Sequence, residues 1–222
     1  MFKFWGDGSD FAKNLVEAIK VRSTDNFNWT FIFIIAVVFY VYWSEIQKKN
    51  WEVVYAGLAL YGVHWLYEIG NAIIGHITGY PLWAVSNQST TFILLVGVCW
   101  ELSMMFTLAG IISFKMLPDD RNTRYFAKNG KKGISCKLAG AIGMALLFAL
   151  FESFLAATSN NSFIWVYKWW GVLPVFITTY VPFFLASNYV PDMEPQKRKK
   201  FLITEWALVA VLLAVLIPVG VI

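Results

Sequence analysis

The chain has 222 residues, 58% hydrophobic, 18% aromatic and only 14% charged, with a net charge of +4. A soluble domain carries about 25% charged residues, and a water-soluble globule of this size could not hide so much apolar surface. The mean hydropathy of +0.57 excludes a disordered chain, two cysteines exclude a disulfide scaffold, and the net charge is a poor account of nucleic-acid binding.

Residues 1–28 mix four basic residues (Lys3, Lys13, Lys20, Arg22) with four acids (Asp7, Asp10, Glu17, Asp25). Without an uninterrupted apolar stretch a cleaved signal peptide is not expected here. Ser9 or Asp10 could cap a short helix whose Phe11, Leu15, Ala18 and Ile19 share one face. That pattern reads as a helix lying on the membrane surface, with an ordinary ordered tail as the alternative.

Residues 29–222 then read as an all-α, polytopic integral membrane helix bundle. Apolar runs of roughly 18–22 residues suit a helix crossing hydrocarbon. Six such segments are expected: Trp29–Trp43, Val53–Ile74, Thr91–Phe114, Leu138–Ala157, Phe163–Ala186 and Phe201–Val221. Helix is expected throughout, because lipid cannot pair with backbone polar groups and the alternating pattern of a membrane barrel is missing. Thirteen of the eighteen basic residues fall on the three odd-numbered connections, and only Lys168 falls on the even ones. The positive-inside rule therefore expects cytoplasmic basic loops, with both termini luminal or extracytoplasmic. The loops could also touch anionic membrane lipids.

Ionisable residues that lipid should reject are the informative ones. His64 and Glu68 are four apart and share a helix face. Glu101 stands about ten residues into the third segment, near mid-membrane at about 1.5 Å per residue. Glu152 falls in the outer half of the fourth segment, and Asn71 near the outer end of the second. His64, Glu68 and Glu101 are expected to meet in one cavity. A carboxyl group in apolar surroundings can hold a proton near neutral pH, and histidine exchanges one in the same range. Two such groups flanking a substrate could donate one proton and accept another. The alternative is a buried polar network that only locks helices together. Two glutamates and a histidine are legitimate metal ligands, but nothing in their spacing demands a metal. Glu205 reads as a residue that snorkels or pairs with Lys199 or Lys200. Gly57, Gly62, Gly70 and Gly75 permit close helix approach.

Three short stretches carry a family resemblance. They are His64-Trp-Leu-Tyr-Glu68-Ile-Gly, Val98-Cys99-Trp100-Glu101, and Tyr167-Lys168-Trp169-Trp170-Gly171-Val172-Leu173-Pro174. Their order and placement resemble the emopamil-binding protein family of sterol Δ8–Δ7 isomerases and relatives, over about residues 50–187. The resemblance implies that His64 and Glu68 are paired acid–base residues and that Glu101 is the carboxylate of the next helix. It implies that Trp170 stabilises a carbocation or a cationic amphiphilic ligand. No nicotinamide, haem or metal cofactor is required for that chemistry. The chain departs from the pattern at Tyr167, where an Asn is expected, and at Met104, where the family tends to carry Thr. Glu152 has no counterpart, and residues 201–222 add a sixth span to the usual five. The expectation is an isomerase-like enzyme shifting a double bond in a sterol or another polycyclic or isoprenoid lipid, with Trp100, Met104, Tyr167, Trp170, Asn71 and Glu152 contributing to binding. The alternatives are a sterol- or lipid-binding or trafficking protein without turnover, and a small proton-coupled carrier. A homodimer is compatible with the sequence. In a eukaryotic host the resemblance implies the endoplasmic reticulum membrane.

Overall fold

The computed structural model describes residues 21–24, 26–27, 29–86, 90–127, 132–158 and 163–222. The expected surface helix, from Ser9 to Ile19, lies outside them. Among the described residues six helices form: α1 (Thr30–Gln47), α2 (Trp51–Thr78), α3 (Trp100–Lys115), α4 (Cys136–Thr158), α5 (Val172–Tyr189) and α6 (Pro195–Leu216). Three two-stranded antiparallel ladders join them. β1 (Trp83–Val85) pairs with β6 (Phe163–Trp165), β2 (Ile93–Leu95) with β3 (Val98–Cys99), and β4 (Arg124–Tyr125) with β5 (Ile134–Ser135). The fold is thus mostly helical rather than purely so.

Two of the expected helical segments begin later, and the last, Phe201–Val221, begins and ends earlier, as α6. The run Thr91–Phe114 divides into the β2–β3 hairpin and the shorter helix α3. A continuous apolar run does not distinguish a buried strand from a buried helix, and here the strands pair with each other. The run Phe163–Ala186 likewise opens on strand β6, and its helix starts only at Val172, after Gly171 in extended conformation. Among the described residues three helices, α1, α4 and α5, are long and apolar enough to cross a membrane by length and composition, against the six expected. The others differ for plain reasons. α3 has 16 residues, α2 carries His64, Glu68 and Asn71 along its length, and α6 opens on the basic stretch before Phe201.

Helix α2 is the hub, resting against α3, α5 and α6, while α4 lies along α5. Its contact with α3 is backbone-close. A Cβ added at Gly110 would stand 2.7 Å from the Ala56 carbonyl oxygen and 3.0 Å from the Gly57 Cα. By contrast nothing lies within 4 Å of a Cβ at Gly70, so of the glycines on α2 that one makes no close approach. Helix α2 ends at Gly79, whose φ of +82° is the left-handed conformation that suits glycine, with its N–H bonded to the Gly75 carbonyl.

The basic connections gather at one end of the bundle. Lys115 pairs there with buried Glu45 at 2.5 Å, Asn50 donates to the same carboxylate at 2.7 Å, and Lys137 pairs with Asp192. The β1–β6 ladder and the β2–β3 hairpin close the other end, joined by the Val85 N–H to the Val96 carbonyl at 3.0 Å. Asn71 of α2 holds this cap. Its Oδ1 accepts from the Leu82 N–H at 2.7 Å, and its Nδ2 donates to the Trp83 carbonyl at 2.9 Å.

Gly110→Ala forces the helix backbones apart and should cost about 1–3 kcal/mol, the usual range for overpacking. Thermal unfolding of the purified protein in detergent should show a lower midpoint for Gly110→Ala and none of that loss for Gly70→Ala. Equal midpoints for the two variants would contradict the close α2–α3 contact.

Candidate functional site

Three ionisable side chains share one cavity: His64 and Glu68 of α2, and Glu152 of α4. The cavity is tight, with a volume of about 40 Å³. Phe106, Phe148 and Phe183 wall it, and Trp83, Tyr180 and Thr179 add polar edges. Met105 of α3 and Phe151 of α4 stand at its margin, 41% and 47% exposed. The cavity therefore reaches the flank of the bundle between α3 and α4.

Each carboxylate is held by an indole from the cap. Trp83 and Trp165 are directly opposite in the β1–β6 ladder, so their side chains leave the same face. The Trp83 Nε1–H divides between both oxygens of Glu68, 3.2 Å from each. The Trp165 Nε1–H donates to Glu152 Oε1 at 2.6 Å. Glu152 has a second donor, the hydroxyl of Tyr180, bonded to Oε2. Tyr180 closes the π-helical stretch Val175–Tyr180 of α5, whose wider turn brings Thr179 and Tyr180 to the cavity wall. Such stretches recur at functional sites.

His64 is different. It is fully buried, and neither ring nitrogen has a hydrogen-bond partner. Its Nδ1 lies 3.8 Å from Glu68 Oε1, beyond hydrogen-bond length. Its ring stacks on Phe106 with centroids 4.1 Å apart and planes at 24°. An apolar slab thus holds a polar ring whose two nitrogens are unused. Gly97, in the turn of the β2–β3 hairpin, presses on the same cluster. A Cβ there would meet Trp83 Nε1 at 2.3 Å and Glu68 Oε2 at 2.5 Å. Only glycine lets the hairpin come so near.

The remaining sequence-derived positions take other places. Glu101 is in the first turn of α3, and its Oε1 accepts from the Thr91 N–H at 2.9 Å. It does not line the cavity. The mid-membrane depth expected for it counted the helix from Thr91, nine residues too early. Asn71 is spent on the cap backbone. Trp170 is buried behind Trp83, stacked on it at 5.7 Å and 21°, so it supports the cavity wall rather than forming it. Tyr167 donates to the Tyr80 carbonyl at 2.9 Å. Trp100 packs towards Phe31, and Met104 yields the cavity margin to its neighbour Met105. Trp83, Tyr180 and Gly97 escaped the sequence reading. Trp83 stands in an uncharged connection, where an aromatic is common at a membrane interface, and Gly97 and Tyr180 lie inside apolar runs.

A mostly helical chain with three helices long and apolar enough to cross a membrane among its described residues has the character of an integral membrane protein, and the family agrees. The chain belongs to a family described as an uncharacterized membrane protein family, matched over residues 12–218. It is similar to a protein described as uncharacterized from Archaeoglobus fulgidus, 36% identical over 182 residues that cover 80% of this chain and 82% of that one. No solved structure matches the chain.

The two carboxylates differ in their reserves, which separates two variants. Trp83→Phe removes the indole donor of Glu68, at a cost of about 1–3 kcal/mol for an orphaned buried acceptor. Trp165→Phe leaves Glu152 with Tyr180 and should cost less. The order of the two unfolding midpoints in detergent checks this, and a reversed order would refute the assignment of donors.

Proposed function

We propose that the protein is a membrane-embedded acid–base isomerase that shifts a carbon–carbon double bond in a polycyclic or isoprenoid lipid, sterols included. The observation that carries this reading is the convergence of His64, Glu68 and Glu152 on one aromatic-walled cavity. One carboxylic acid delivers its proton to an alkene carbon, which creates a carbocation at the adjacent carbon. Phe106, Phe148 and Phe183 face that charge with their ring electrons. The other carboxylate takes a proton from the carbon on the far side of the cation, and the double bond reforms one position along. One proton enters and one leaves, so no oxidant or reductant takes part. The apolar walls keep water from capturing the cation. The unused nitrogens of His64 would anchor a substrate hydroxyl or pass a proton to Glu68. The opening beside Met105 and Phe151 supports entry of an apolar substrate directly from the bilayer.

The order of His64 and Glu68 on one helix is the part of the emopamil-binding resemblance that this reading keeps. Glu152 replaces Glu101 as the partner carboxyl. The same proposal sets all six helices across the bilayer with their basic connections in the cytoplasm, the arrangement that the gathering of Lys115, Lys137 and Asp192 at one end supports. A second reading, a lipid-binding protein without turnover, is favoured by one observation. Both carboxylates already have protein donors, as a structural lock would.

Turnover in heavy water separates the two. Purified protein in detergent is incubated with sterols and polycyclic isoprenoids bearing an isolated ring double bond, and the products are read for carbon-bound deuterium. Wild type should incorporate label. Glu68→Gln and Glu152→Gln should each lose about 10²-fold or more, the usual worth of a positioned acid or base. Glu101→Gln should stay close to wild type. Saturable binding of these lipids with no label in any product would replace the isomerase by the binding protein.

A further inference from the structure

A second cavity lies between α2 and α6, on the side of α2 away from the aromatic chamber. It has a volume of about 550 Å³. Leu66, Phe201 and Leu208 form apolar walls, Lys197 and Lys200 stand on the rim, and Glu205 lies in the floor. Glu205 neither snorkels nor pairs with Lys199 or Lys200. It is only 6% exposed, and neither carboxyl oxygen has a hydrogen-bond partner. It turns inward against Gly62, where an added Cβ would stand 2.4 Å from its Cδ. A buried carboxyl with no partner in a groove is an unfilled valence.

The spacing along α6 says what fills it. Glu205 follows Lys200 by five residues, about 7.5 Å along a helix. The polar interface of a bilayer leaflet is about 5–7 Å deep. Lys200 at headgroup level therefore sets Glu205 at the level where acyl chains join the glycerol. Lys197 is 72% exposed, and its pair with Glu194 at 3.0 Å is solvent-facing, a weak claim on the ammonium group.

We infer that this groove binds one anionic glycerophospholipid, with its phosphate between Lys197 and Lys200, its acyl carbonyl accepting a hydrogen bond from the neutral carboxyl of Glu205 once that group turns from Gly62 to the groove, and an acyl chain along Leu66 and Leu208. The inference is independent of the chemistry in the aromatic chamber. Positive rim, polar step and apolar wall follow each other in the order of a phospholipid's own parts.

Native mass spectrometry of the full chain in detergent tests this, with titration of dioleoylphosphatidylglycerol against dioleoylphosphatidylcholine. Wild type should retain one phosphatidylglycerol in preference to phosphatidylcholine. The double substitution Lys197→Ala, Lys200→Ala should reduce that preference by about 10–30-fold, from the attraction of roughly 1 kcal/mol per basic side chain. Glu205→Leu should weaken both lipids alike, since the carbonyl is common to them. Inorganic phosphate should not displace the lipid. Equal retention of the two lipids by wild type, or an undiminished preference in the lysine variant, overturns the proposal. If Glu205→Leu does not fold, the exposed lysine variant decides alone. If it folds and binds both lipids like wild type, Glu205 is no part of the site and the assignment of the groove fails.

Discussion

The structure depends on one demand, that a carboxyl group buried among aromatic rings must find donors. Glu68 and Glu152 sit on different helices, and the hydrogen bonds that each accepts come from other elements. The donors come from the cap, where Trp83 and Trp165 oppose each other across two short strands. A pair of three-residue strands has little stability alone. It persists here because Asn71 bonds its backbone and because each indole satisfies a buried acid. The cap needs the acids, and the acids need the cap. Trp170 completes the arrangement by covering the back of Trp83.

That dependence explains which parts of the protein could be read from its sequence. Helices α1, α2 and α4 follow from long apolar runs, and their centres stand where hydropathy puts them, while α6 is shifted towards the basic stretch before its run. His64 and Glu68 were legible because helical spacing is local and an ionisable pair in an apolar helix is costly. The cap was not legible. Its strands lie inside apolar runs, and their pairing joins residues 83 and 165, far apart in sequence. Glu101 was misplaced for the same reason. Once Ile93–Leu95 and Val98–Cys99 form a hairpin, α3 starts later and Glu101 falls at its first turn. Glu152 stood without a partner in the sequence because Trp165 and Tyr180 reach it only through the ladder and the π-helical stretch.

The polar groups at the two ends of the bundle differ in kind. At the basic end, the buried groups are matched. Glu45 has Lys115 and Asn50, and Asn188 accepts from Ser113 at 2.9 Å while donating to the Lys137 carbonyl. Midway, Tyr42 meets Thr107 and Tyr61 meets Ser103 across adjoining helices. These pairs have the character of locks, in which every donor is placed opposite an acceptor. A lock of this sort contributes little net stability but resists rearrangement, since parting its members leaves both unsatisfied.

His64 does not fit that description. It is as deeply buried as any group in the bundle, and both of its nitrogens are idle. A residue kept only for packing would be served as well by phenylalanine, which fits the stack on Phe106 without two orphaned polar atoms. A residue kept only as a lock would stand at hydrogen-bond length from Glu68, whereas the gap is 3.8 Å. The ring is held in place by Phe106 on one face and Phe183 at its edge, and under the proposed reading it waits there for the substrate. The acids beside it are anchored by indoles and a phenol, so they would not swing away when that partner arrives. In the proposed isomerase, fixed carboxyls and an unengaged imidazole among apolar walls would act as a preorganised site, with the acids held by the cap and the imidazole left for the substrate.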